Sequence, residues 1–109
     1  MTVTFVYDYH YQLGAVIPIM SIRINIAPYL QPFTCNTEAV EVAANTVGEG
    51  ISRLVKQFPD IEKMLLDANG KLHSYVGIYV NNEDAYPESL AKPVKDGDEL
   101  YILYIITGG

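Results

Sequence analysis

From Ser21 onward the polar–apolar pattern changes period, from two residues to the roughly 3.6 of a helix and back to two. Such a chain is limited to a sheet carrying a helix. Ser21 to Ala27 alternates, with Ile22, Ile24 and Ile26 on one side and Ser21, Arg23 and Asn25 on the other, the pattern of a half-buried strand. Pro28, Pro32 and Asn36 break it into a loop. Glu38 to Ala43 alternates again, Val40 and Val42 opposite Ala39, Glu41 and Ala43, and is expected to pair antiparallel with the first strand.

Thr46-Val47-Gly48-Glu49 reads as a capping box, the Thr46 hydroxyl accepting from the Glu49 amide while the Glu49 side chain reaches back. Behind it Val47, Ile51, Leu54, Val55 and Phe58 recur at helical spacing, and Glu49, Arg53, Lys56 and Gln57 fill the other face. Gly48 and Gly50 work against this helix, each costing about 1 kcal/mol relative to Ala. Pro59 ends it, and Asp60 to Asp67 is expected to add a short helical turn burying Ile61, Met64 and Leu65.

Asn69-Gly70 is a turn. Tyr75 to Val80 follows as a strand, with Val76, Ile78 and Val80 opposite Tyr75, Gly77 and Tyr79. Asn81 to Glu88, polar and carrying Pro87, is expected to be loop, with a minor strand near Leu90. After the Asp96-Gly97-Asp98 turn, Glu99 to Ile106 is the most β-prone run. Leu100 and Ile102 are expected to face inward, and Tyr101 and Leu103 outward. The order predicts an α+β fold, a mixed sheet of four to five strands with one main helix across one face.

Residues 1–19 stand apart. Val3, Phe5, Tyr7, Tyr9 and Tyr11 alternate with Thr4, Val6, Asp8, His10 and Gln12. They read either as an extra strand, adding to a sheet edge or pairing with a second chain, or as an extension ahead of a natural start at Met20. An appended segment without a role in the core chemistry is the preferred reading, which leaves residues 20–109 as the domain.

Composition removes several classes of function. The net charge of −6, from 7 basic and 13 acidic residues, argues against nucleic-acid binding and suits docking on a basic protein surface. Cys35 is the only cysteine, so no intramolecular disulfide can form. It is expected to be a small semi-buried loop residue. His10 and His73 lack a ligand pattern, so no metal site is expected. No apolar run reaches the roughly 18 residues of a membrane span, and no signal peptide is legible, so a cytoplasmic location is expected.

No catalytic set or phosphate-cradling loop is apparent, and the paired Asp96 and Asp98 read as a turn. What remains is the tail. A strongly hydrophobic strand runs into Ile105-Ile106-Thr107-Gly108-Gly109. Two glycines form a thread without β-carbons, which lets a terminal carboxylate enter a slot that side chains would block.

Residues 20–109 resemble the MoaD/ThiS family of ubiquitin-like sulfur carriers, of β-grasp fold. The resemblance rests on Thr46-Val47-Gly48-Glu49, on Tyr79-Val80-Asn81-Asn82-Glu83-Asp84, on Pro93-Val94-Lys95-Asp96-Gly97-Asp98-Glu99-Leu100 and on Gly108-Gly109. The middle section Leu66 to Leu72 looks more like the carriers associated with cysteine synthesis than the short thiamine type. The resemblance implies a protein substrate rather than an enzyme, either free or as the small subunit of a sulfur-transfer enzyme such as molybdopterin synthase. An adenylating activating enzyme would use ATP on Gly109, a sulfur donor would form the thiocarboxylate, and an acceptor synthase would receive the sulfur. Thr107 and Gly108 would form the tail, with Tyr101, Leu103 and Ile106 touching partners; the carrier itself would need no cofactor. The other reading with the same activation is a modifier joined to lysines through Gly109.

Overall fold

The computed structural model describes residues 21–105. The expected extension at residues 1–19, and the tail residues Ile106, Thr107, Gly108 and Gly109, lie outside them.

The alternating runs form strands where periodicity places them. Strand β1 is Ser21–Asn25, β2 Ala39–Ala43, β3 Val76–Val80, β4 Glu83–Asp84 and β5 Glu99–Tyr104. They make one sheet in the order β2-β1-β5-β3-β4. β1 pairs antiparallel with β2, as expected, and parallel with β5, with Ile24 beside Leu100. β3 pairs antiparallel with β5 from Val76 beside Tyr104 to Val80 beside Leu100. The last strand therefore lies in the middle of the sheet.

Helix α1, Val47–Gln57, crosses one face. Val47, Ile51 and Leu54 are buried with Ile22, Ile24, Leu100 and Ile102 of the sheet. Val55 and Phe58 pack against this core partly buried. Glycine at position 50 has a packing reason: a Cβ there would lie 2.9 Å from Ile22 Cδ1, so any larger residue would force the Ile22 side chain to shift. The cap forms, with Glu49 N donating to Thr46 Oγ1 at 3.1 Å. The Glu49 carboxylate reaches one residue further back than the expected box, accepting from Asn45 N. The helical turn after Pro59 is present as the 3-10 turn Pro59–Ile61 and the short helix α2, Glu62–Leu65, with Ile61 and Leu65 fully buried.

Four expectations are corrected. Residues 81–88 are not all loop, because Asn81, at φ 57°, reverses the chain so that Glu83 and Asp84 pair with Val80 and Tyr79. Near Leu90 there is a 3-10 turn, Ser89–Ala91, instead of a strand, closed by Lys92 N donating to Ser89 O. Pro28–Phe33 is likewise a 3-10 turn that buries Leu30. Cys35 is exposed, at φ 52°, on the outside of the reversal after that turn.

The Asp96-Gly97-Asp98 segment is a turn, and it fastens three strands. Gly97 N donates to Ser21 O at 2.9 Å, and Ser21 N donates to Asp96 Oδ1 at 2.9 Å. Asp98, only 7% exposed, accepts from Lys95 N at 2.9 Å and from Asn81 Nδ2 at 3.1 Å. Burial acts to raise its pKa, but these two hydrogen bonds and the nearby Lys95 and Lys92 charges outweigh it, and the carboxyl titrates below its ordinary value. A depressed carboxylate contributes stability above its unfolded pKa and loses that contribution as pH falls through the folded one. Asp98→Asn is therefore expected to destabilise the protein at neutral pH. Urea midpoints of the two proteins should converge only as the pH falls below the depressed folded-state pKa of Asp98, where both side chains are neutral.

Candidate functional site

The tail residues follow β5 in the chain, so whatever fixes the end of β5 fixes where the tail begins. Leu100 and Ile102 are buried against α1, which turns Tyr101 and Leu103 to the opposite face, where they are 39% and 41% exposed. Both stand where alternation placed them. Ile106, Thr107, Gly108 and Gly109 cannot be compared, since they lie outside the described residues.

Ile105 continues the pairing one step past β5, its N–H donating to Tyr75 O at 2.7 Å. Its side chain lies over Gly77, where a Cβ would fall 2.8 Å from Ile105 Cδ1. The root of the tail is thus held by one backbone hydrogen bond and one apolar contact that glycine makes room for.

Tyrosines surround this root. Tyr104 meets Tyr29 edge to face at 5.2 Å between ring centres and Tyr75 at 5.3 Å. His73 stacks on Tyr75 at 4.8 Å, and its Nε2 lies 2.9 Å from Lys63 O. Sequence reasoning missed Tyr29, Tyr75, Tyr104 and His73 as a group. They come from three separate segments, and only the register of β3 and β5 and the fold of the Pro28–Phe33 turn bring them together. The abundance of tyrosine was the one visible hint. The Tyr29 hydroxyl is buried without a hydrogen-bond partner among the described residues. Burial, followed by the neighbouring Tyr104 and Tyr75, pushes its pKa up.

The outer face beside Tyr101 is organised around Glu99. Its Oε1 accepts from the Tyr101 hydroxyl at 3.1 Å and from Asn25 Nδ2 at 3.1 Å. The hydrogen bond from Tyr101, then the charge of Glu99, raises the Tyr101 pKa, so this ring stays a neutral donor. Arg23 and Glu41 lie 3.9 Å apart on the same face, an exposed pair that contributes little. The result is a mixed surface, apolar along Tyr101 and Leu103 and polar toward β2, leading to the tail. Among the described residues no group of three or more His, Cys, Asp and Glu side chains is placed to hold a metal. None of the described helices is long and apolar enough to cross a membrane.

A five-stranded mixed sheet with a helix across one face and a central last strand is the β-grasp arrangement of small ubiquitin-like carrier proteins. The ThiS family model matches residues 29–109, and the chain belongs to that family, within the wider MoaD/ThiS group. The sulfur carrier protein CysO of Mycobacterium tuberculosis is 37% identical over 93 residues, covering 83% of this chain and 100% of the relative. The crystal structure of the Amycolatopsis orientalis BexX/CysO complex superposes with a TM-score of 0.73 at 34% identity, covering 81% of this chain and 99% of the other. That of SAMP1 from Haloferax volcanii gives a TM-score of 0.70 at 25% identity, covering 82% and 99%. CysO is a sulfur carrier protein, and this chain is a carrier of the same family rather than an enzyme.

Removing a buried, unpaired hydroxyl relieves its desolvation cost. Tyr29→Phe should therefore stabilise the protein by about 1 kcal/mol in chemical denaturation, while keeping the Tyr29–Tyr104 ring contact.

Proposed function

We propose that this protein carries sulfur on the carboxyl group of Gly109. The observation that carries the reading is a Gly108-Gly109 tail within the ThiS family match, following a last strand paired on both sides. Carboxylates are poor electrophiles, so an activating enzyme must first supply a leaving group. A Gly109 oxygen attacks the α-phosphorus of ATP and pyrophosphate departs, leaving an acyl adenylate. Hydrosulfide from a sulfur donor then attacks the carbonyl carbon and AMP departs with its bridging oxygen, leaving the thiocarboxylate. An acceptor synthase takes up that sulfur, in cysteine, molybdopterin or related synthesis. The 37% identity to a CysO carrier favours this reading over others that use the same tail.

The carrier supplies no base or metal to this chemistry. It supplies a docking face and a thread. Tyr101 and Leu103 form the part of the face that partners touch, with Ile106 beyond it, and ATP belongs to the activating partner. The similarity to SAMP1 supports a second reading, a modifier joined to lysines through the same adenylate.

ATP–pyrophosphate isotope exchange by the activating enzyme tests the first step. Exchange should require the full chain and vanish on deleting Gly108 and Gly109. Leu103→Asp should raise the carrier concentration needed for half-maximal exchange without lowering the melting temperature. Exchange that persists undiminished without the diglycine contradicts the reading.

A further inference from the structure

Beside the tail root, on the far side of β3, lies an open groove of about 650 Å³. Leu72, Val76, Ile78, Pro87 and Leu90 give it apolar walls, and Gly77 and Ile105 close the end nearest the tail. One wall is the edge of β3 itself. β4 pairs only with Tyr79 and Val80, and beyond it a single bond continues the ladder, from Ala85 N to Ile78 O at 2.9 Å. Toward Val76 no described strand lies alongside. An apolar groove running along an uncovered strand edge suits an extended segment, because the backbone supplies hydrogen bonds and the walls take alternate side chains.

This chain contains a segment of that kind. Val3, Phe5, Tyr7, Tyr9 and Tyr11 form one row between Thr2 and Gln12, with Thr4, Val6, Asp8, His10 and Gln12 in the other. The family match begins at residue 29, after this segment. A row of large apolar side chains is costly to leave in water. Reach is sufficient. β1 is separated from a strand added beyond β3 by β5 and β3, three spacings or about 14 Å. Leu13 to Met20 connects that added strand to Ser21 and spans roughly 26 Å when extended.

We propose that residues 2–12 dock within the same molecule along the open edge of β3, with the Val3, Phe5, Tyr7 row filling the groove on the side of Val76 and Ile78. The bound segment would brace Gly77 and Ile105, and with them the root of the tail. This is independent of the sulfur-carrier reading, since it concerns a different face.

Paramagnetic NMR on the full chain tests it. Tyr86 lines the groove and is 78% exposed, so in a Cys35→Ser background Tyr86→Cys takes a nitroxide label without disturbing the core. The expected result is loss of the amide signals of residues 3–11, restored when Phe5→Lys and Tyr7→Lys are added. Unchanged signals from the nearby β3 amides in that variant would show that the fold survives. Three results would overturn the proposal. Signals of residues 3–11 could keep full intensity. They could instead be lost to a label placed at Glu41→Cys on β2. Or they could be lost as strongly from enriched unlabelled molecules mixed with labelled unenriched ones, which would identify a second copy as the occupant.

Discussion

The start of the tail depends on how β5 is paired, with β1 over Glu99 to Tyr101 and with β3 from Leu100 to Tyr104. A C-terminal strand at a sheet edge frays; here β1 holds one side in parallel and β3 the other antiparallel, with Leu100 and Ile102 buried beneath α1. The turn at Asp96-Gly97-Asp98 secures the start of the strand, and the bond from Ile105 N to Tyr75 O secures its end. Ile105, the last described residue, is thus held in place by β3, and the tail starts from there.

That arrangement suits a carrier. Tyr101 and Leu103 stand open on the sheet face away from α1, which leaves that face free for docking. The perturbed groups serve the fold. Asp98 is a turn anchor, Tyr101 is tied to Glu99, and Tyr29 is a ring in the collar at the tail root. The collar adds bulk where the chain leaves the sheet, and Gly77 lets Ile105 lie flat against β3.

Much of this was legible in the sequence, for identifiable reasons. Period-two runs gave β1, β2, β3 and β5 and the inward side of each, because one buried face per strand leaves a strict alternation. Thr46 and Pro59 bounded α1 through cap chemistry that acts locally. Features decided by distant contacts were not legible. β4 is only Glu83–Asp84, too short for any period, and exists because Asn81 turns the chain back. Gly50 looked like a cost to the helix until Ile22 was found beneath it. Tyr101 and Leu103 were visible as outward residues, whereas Tyr29, Tyr75 and Tyr104 required the register of the assembled sheet.

The central claim is that the chemistry of this protein resides in the carboxyl group of Gly109. Tandem mass spectrometry of the protein isolated from its own cells tests that most directly. The expected result is a C-terminal fragment in which one oxygen of Gly109 is replaced by sulfur, lost on treatment with a thiol-alkylating reagent in favour of the alkylated thioester. An unmodified Gly109 carboxylate in cells whose sulfur-transfer enzymes are active, with added sulfur found on Cys35 or nowhere, would contradict it.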